Sequence, residues 1–418
     1  MTILIPETEY KKQLQVMGIF ELREMGRRIG VKSPTTMKAD RLIQSILDVV
    51  YGRTEPQFST RGRPPKNIEA VLNGVVEDVA EGEKAHSALL DFDERSEYGE
   101  LYFTTGEKAV VPLRAALRAG LRRGDEIRFI LTGKPADMTT FPKPLSVNGY
   151  PLSVLSERAF FGDLTARYPE KRLYLTEETE TGLPLLWASD LFAPVGRGQR
   201  GVIFGGKNSV KTALLKAITQ DLEKKYEDIR VFSLLVDVPP EDVVGFRNGL
   251  KSPVTALTFD RSAKEQIRSV ECLFEHAKRL AESGLDVFVA VNDLDGLARI
   301  YGEFGEGIRG VKRILSVARN TDKGSITLLA TAENADLLRE TDVFNQKIIL
   351  TGDGECGFDP ASCTTQGETF LSEKERETVQ TLRDALASGR KTVADLQDLL
   401  RRSHCKAEFI DLGKTWRT

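Results

Sequence analysis

Cysteine and histidine are scarce in this 418-residue chain: four of the first and three of the second. Cys272, Cys356, Cys363 and Cys405 stand far apart or at no metal-ligand spacing. That pattern excludes a disulfide framework and a zinc module, and reads as reduced thiols in a cytoplasmic protein. His86, His276 and His404 make no metal or triad pattern with one another. No stretch nears the roughly 20 apolar residues that a membrane span requires, and the opening MTILIPETEYKK has too short an apolar run for a secretory signal. A large excess of one charge is missing too. The formal net charge is −3, so any nucleic-acid contact has to come from local basic surface rather than global attraction. What remains is an ordinary 40% hydrophobic content, enough for a buried core and two or three domains.

The chain changes character along its length. Residues 1–50 read as a compact helical module. LQVMGIFELREMGRRIGV repeats apolar residues at helical spacing (Leu14, Met17, Phe20, Leu22, Met25, Ile29), a turn with Ser33 and Pro34 follows, and DRLIQSILDVV turns Leu42, Ile43, Ile46, Leu47 and Val50 towards a core. Residues 51–68 are a basic Pro/Gly linker. Its RGRPPK stretch contains RGRP, in which Arg61, Arg63 and Lys66 read as a tether able to touch nucleic acid, with insertion into a narrow DNA minor groove as the sharper alternative. Residues 69–155 hold short β-rich runs, VLNGVVEDV, SALLDF, GELYFT, AVVPL and DEIRFILTG, at a spacing that suits a small barrel. Arg114, Arg118, Arg122 and Arg123 follow at roughly helical spacing and form either a solvated face or a track for a phosphate backbone. In residues 156–418, strand-like runs (GVIF, VFSLLVDV, VTALTF, DVFVAVND, SITLLAT, KIILTG) alternate with helical ones, the signature of a mainly parallel sheet. The tail from Ser372 reads as two helices broken near Gly389.

After GVIF comes GGKNSVKT, residues 205–212. It has the length of GxxxxGK[ST], a loop whose backbone N–H groups wrap phosphates while the lysine reaches the β/γ oxygens and the hydroxyl holds Mg²⁺. Gly205, Gly206, Lys207, Asn208, Ser209, Val210, Lys211 and Thr212 are therefore the candidate nucleotide-binding residues, with Thr212 as the candidate metal ligand. Val210 stands where the second glycine belongs. A β-branched residue adds bulk there and tolerates unusual backbone angles poorly, so weak nucleotide binding or none is expected.

Segments flanking this loop resemble the transcription termination factor Rho family. FGDLTARYPEKRLYL (161–175) is similar to the family's FENLTPLHP–RL stretch, and FAPVGRGQRGVIF (192–204) to PIGRGQRGLIV. VDVPPEDV (236–243) resembles DERPEEV, DGLARIY (295–301) resembles TRLARAY, and ARNTDKGSITLLATA (318–332) resembles ARNVEEGGSLTIIATA. The resemblance implies a multidomain α/β protein: an N-terminal helical module, an OB/cold-shock-like RNA-binding barrel and a C-terminal RecA-like P-loop NTPase domain. It further implies a hexameric ring that binds RNA, ATP and Mg²⁺ and acts on transcripts of RNA polymerase, with no membrane.

Position by position, the chemistry departs from that family. Asn292 stands at the metal-binding aspartate; Asp293, one step along a strand, would point to the other face. Val238 replaces the glutamate near the attacking water, and valine takes no proton; Glu241 fits a later acidic position. Ser362 and Gln366 stand where the resemblance places two arginines, a type of residue worth about 10³–10⁵ in rate. The loop GEFGEGIRG (302–310) is short, NADLLRETDVFNQK (334–347) lacks the family's basic glycine-rich stretch, and Ala109 lies where a base-stacking tyrosine is expected. Phe92, Tyr98, Tyr102 and Phe103 are the aromatics left nearby. The sequence therefore reads as a Rho-like protein with a degenerate ATPase site, a regulatory or scaffold subunit forming a homo-hexamer or joining a mixed ring. The alternatives are an active translocase in which Asp293, Glu241 and Lys207 take over the lost roles, and a partner that modulates the ring of an active relative.

Overall fold

The computed structural model describes residues 7–17, 19–29, 31–32, 34, 37–51, 53–54, 84–93, 96–103, 107–131, 138, 141–152, 155, 158–175, 184–206, 210–341, 343–351, 359–360 and 368–417. The chain divides into two compact units, Met1–Arg158 and Ala159–Thr418.

The first unit opens with α1 (Glu7–Val16), α2 (Ile19–Arg28) and α3 (Ala39–Val50). The run read as one amphipathic helix is two, and they bracket Gly18, a residue of poor helix propensity. In α3 the buried set is Leu42, Ile43, Ile46, Leu47 and Val49; Val49 takes the inward place expected of Val50. Six antiparallel strands follow: β1 (Lys84–Asp91), β2 (Tyr98–Phe103), β3 (Lys108–Pro112), then after α4 (Leu113–Arg118) β4 (Glu126–Leu131), β5 (Pro144–Val147) and β6 (Tyr150–Pro151). Their order is β3-β2-β1-β4-β5-β6. Alternation sets the core: Leu101 and Phe103 from β2, Ala109 and Val111 from β3, and Ile127 and Phe129 from β4 point inward. Asp125 is fully buried and held by Arg158 through two bonds (2.5 and 2.6 Å) and by Asn148 (2.8 Å). The run VLNGVVEDV and the linker residues Arg61, Arg63 and Lys66 lie outside the described residues.

The second unit contains short β7 (Ala166–Arg167), β8 (Arg172–Leu173), α5 (Leu185–Phe192) and β9 (Val195–Gly196). Next come β10 (Arg200–Phe204), α6 (Lys211–Lys225), β11 (Ile229–Val236), α7 (Pro240–Arg247), β12 (Val254–Leu257), α8 (Ala263–Glu282), β13 (Asp286–Asn292) and α9 (Leu294–Gly302). It continues with α10 (Gly307–Leu315), β14 (Arg319–Thr321), β15 (Ser325–Ala332), α11 (Ala335–Thr341), β16 (Gln346–Ile349), α12 (Glu373–Ala387), α13 (Val393–Arg402) and α14 (Lys406–Gly413). Six strands run parallel in the order β12-β11-β13-β15-β10-β16, with β14 and β7 added antiparallel. These are the six strand runs read from the sequence, near-continuously apolar as strands covered on both faces are. All eight residues of β15 are buried. Gly389 (φ +70°) separates α12 from α13, and α14 is a third tail helix not anticipated.

The segment GRGQRG delivers the chain into β10. Gly198 has φ +86°, and a Cβ there would collide with the backbone of Asn320. A Cβ on Gly196 would lie 2.6 Å from the Phe370 ring. The other side chains of this run hold structure together: Arg197 pairs with Asp228 (2.9 Å) and Asp286, Gln199 accepts from Gly196 N–H (2.6 Å), and Arg200 donates to the carbonyls of Val343 (2.7 Å) and Ala318 (3.0 Å).

A buried ionic quartet ties β8, α5, α12 and α14 together. Arg172 on β8 donates to Asp190 of α5 (2.8 Å) and Glu375 of α12 (3.2 Å), and Lys406 of α14 pairs with the same two carboxylates at 3.0 and 2.5 Å.

Candidate functional site

Strands β10, β13 and β15 end side by side, and the loop before α6 lies at their carboxyl ends, where open α/β sheets bind ligands. Gly205 N–H donates to Ala332 O (3.1 Å), which fixes the start of the loop to the end of β15. Lys207, Asn208 and Ser209 lie outside the described residues.

Val210 is the N-cap of α6 at φ −76° and ψ 19°. That conformation is ordinary for an L-residue, so the expected backbone strain is absent. The side chain packs on the main core cluster of the unit. Lys211 is the first residue of α6, and its ammonium donates to Gly206 O (2.9 Å) and pairs with Glu333 (3.3 Å). A lysine at the N-terminus of a 15-residue helix joins a positive side chain to a positive helix end, an arrangement that favours an anion.

Thr212 Oγ donates to Asn292 Oδ1 (3.0 Å), and Thr331 Oγ donates to the same oxygen (2.8 Å). The amide oxygen is thereby committed to two hydroxyl donors. The donor set at the metal position is neutral, and Mg²⁺ favours carboxylate and water; these residues do not fit the ion. Among the described residues no group of three or more His, Cys, Asp or Glu side chains is placed to hold a metal.

The Asn292–Asp293 peptide is cis, and Asp293 caps α9: its carboxylate accepts from Asp295 N–H (2.5 Å) and Gly296 N–H (3.2 Å). Burial raises its pKa, opposed by those two N–H groups. Asp293→Ala is expected to cost about 1 kcal/mol, the usual loss for a helix N-cap, in the urea midpoint of the full chain; nucleotide affinity is expected to be unchanged. Asp295 in turn accepts from Glu333 N–H (2.7 Å) and Asn334 N–H (3.2 Å), tying α9 to the exit of β15.

Val238, at the expected position of the base, packs against Leu235, Val243 and Phe246. Glu241 lies in the first turn of α7, exposed, where acidic residues suit the helix dipole. Ser362 and Gln366 lie outside the described residues. Arg299 of the LARIY stretch pairs with Asp237 (2.8 Å), next to Val238. Phe304 sits exposed in the short turn between α9 and α10.

On the first unit, Phe92 and Phe103 are core, whereas Tyr98 and Tyr102 face outward from β2, 58% and 36% exposed. Tyr102 donates to Glu100 (2.5 Å). Ala109 is buried, so the outward position on β3 is Val110, and the substitution at 109 bears on the core rather than on stacking. Of the expected basic track, Arg122 donates to Arg158 O (3.0 Å) and Arg123 pairs with buried Asp91 (2.6 Å), both within their own unit. Arg114 and Arg118 remain exposed. The residues that sequence reasoning missed are Thr331, Asp295 and Glu333. Thr331 and Glu333 meet the site because β15 lies beside β10 and β13, and Asp295 because α9 starts at the end of β13; an adjacency of this kind leaves no local pattern.

The parallel sheet, with β10, the strand beside edge strand β16, feeding a glycine-started, Lys-Thr-ended loop and a helix, defines a P-loop ATPase fold. No family model matches the chain. It is 33% identical over 323 residues to the transcription termination factor Rho of Streptomyces coelicolor, covering 70% of this chain and 76% of that protein. It is 30% identical over 380 residues to the transcription termination factor Rho of Streptosporangium roseum, covering 83% and 94%. Among solved structures, a prototypical ATPase from the type III secretion system of pathogenic bacteria aligns with a TM-score of 0.49 at 16% identity, covering 60% of this chain and 87% of that one. The chain belongs to the transcription termination factor Rho family.

Proposed function

We propose that this chain is a Rho-family subunit that binds RNA and presents Lys211 to a nucleotide phosphate without hydrolysing ATP, acting as a regulatory or scaffold member of a homo-hexameric or mixed ring connected with transcription. In this reading residues 1–50 are the family's helical module, 51–68 a basic linker, 69–155 an OB/cold-shock-like barrel and 156–418 a RecA-like domain. The curated relatives are named as transcription termination factors, and that supports the link to RNA and RNA polymerase.

One observation carries the loss of turnover. Asn292 Oδ1 is bound by the hydroxyls of Thr212 and Thr331 while Val238 sits in an apolar cluster, so neither the metal position nor the base position bears a carboxylate. Water activation and neutralisation of a developing phosphate charge both need groups absent at those positions. Asp293, which the active-translocase alternative needs as metal ligand, has its Oδ1 occupied in capping α9, and this favours the non-hydrolysing reading. For RNA, the outward pair Tyr98 and Tyr102 supplies two stacking surfaces, each typically worth about 1–3 kcal/mol per base.

The test is an ATPase assay on the purified full chain with single-stranded RNA and Mg²⁺. Turnover is expected to equal that of Lys211→Ala; RNA-stimulated hydrolysis that vanishes in Lys211→Ala overturns the reading.

A further inference from the structure

Glu333 lies just beyond the ARNTDKGSITLLATA segment and has no counterpart in the motif reading. It follows the last residue of β15, and its backbone is held, since its own N–H and that of Asn334 both donate to Asp295. From that fixed base its carboxylate reaches Lys211 Nζ at 3.3 Å, while the same ammonium donates to Gly206 O at 2.9 Å. The two side chains differ in exposure: Lys211 is 10% exposed and Glu333 is 47% exposed. The cation is thus largely withdrawn from solvent while the anion is half open to it.

A phosphate-loop lysine acts by donating to the β/γ oxygens of a nucleotide. Here a carboxylate of the chain itself takes that donor. We propose that Glu333 is a built-in competitor for the phosphate, a carboxylate latch on Lys211 that polyphosphate must displace and against whose charge it must approach. This rests on the reading that Lys211 faces nucleotide phosphate. The latch discriminates by charge position: it opposes ligands whose phosphates extend to Lys211 and leaves untouched those that stop short of it. ATP is therefore penalised and AMP is not. Because Glu333 is half exposed, solvent screening limits the effect to about two- to fivefold in affinity.

The experiment titrates the full chain with fluorescently labelled ATP and AMP, with and without Mg²⁺, for wild type, Glu333→Gln, Lys211→Met and the double variant. Glu333→Gln is expected to tighten ATP binding about two- to fivefold, to leave AMP unchanged, and to lose its gain in the double variant; Mg²⁺ is expected to add nothing. If Glu333→Gln binds ATP as wild type does while Lys211→Met weakens it, the latch falls and the nucleotide reading stands. If no variant binds ATP at millimolar concentration, both fall. RNA-stimulated hydrolysis that disappears in Glu333→Gln makes Glu333 a catalytic base and overturns the latch as well.

Discussion

Gly198→Ala is expected to destabilise the second unit by roughly 2–5 kcal/mol, the sum of a left-handed backbone penalty and a forced contact. At φ +86° an alanine pays the first term, and its Cβ would lie 2.5 Å from Asn320 Cα, so the second cannot be relieved by turning a side chain. Gly389→Ala is the control. It shares a positive φ of 70° but its Cβ would meet nothing within 4 Å, so it should show the backbone term alone, about 1 kcal/mol. Urea unfolding followed by the fluorescence of buried Trp187 reads both. Equal shifts for the two variants would mean that close approach to Asn320 contributes nothing.

Arg172→Met should be comparably severe, about 3–5 kcal/mol, because it strips one cation from a quartet removed from water. Arg172 is 2% and Asp190 1% exposed; without the guanidinium, Asp190 and Glu375 share Lys406 alone. Arg402→Met, which breaks a pair with Asp398 in which both side chains are more than half exposed, should shift the midpoint by a few tenths of a kcal/mol at most. A similar small shift for Arg172→Met would show that the quartet is neutral. The acid response follows from Glu375. Burial pushes its carboxyl up, but bonds from Lys406 and Ser372 N–H and the charges of Lys406 and Arg172 outweigh that and hold it at about 2, below its ordinary 4.5. A depressed folded-state pKa gives stability that is complete above about 4.5 and lost as pH falls towards about 2. Glu375→Gln should flatten the acid limb across that window.

The sheet was legible because strands covered on both faces are apolar throughout, and runs such as SITLLATA and DVFVAVND have few other structural solutions. GRGQRG was legible for another reason: its glycines meet backbone and ring atoms, and its arginines and glutamine fasten neighbouring strands. The strongest mark of the family is thus a packing device, set by what the fold requires rather than by the chemistry of the site. The substitutions at 238 and 292 were readable as chemistry, but their surroundings were not. That Asn292 Oδ1 is claimed by Thr331, or that Lys211 meets Glu333, depends on β15 lying beside β10 and β13, more than a hundred residues away from β10 in sequence. The bonds of Arg122 to the Arg158 carbonyl and of Arg123 to Asp91 were out of reach for the same reason, since each partner lies more than thirty residues away.

The placement of β10 also governs how this protein is made. Both its neighbours, β15 and β16, are encoded downstream, and it pairs with Ser325–Ala332 and Gln346–Ile349. During synthesis the edges of β10 stay open until some 150 further residues leave the ribosome, many seconds at about 5–20 residues per second. A nascent chain with an apolar strand unpaired for that long is a natural client for chaperones, and truncations that end between Phe204 and Gln346 should aggregate rather than yield a smaller folded second unit.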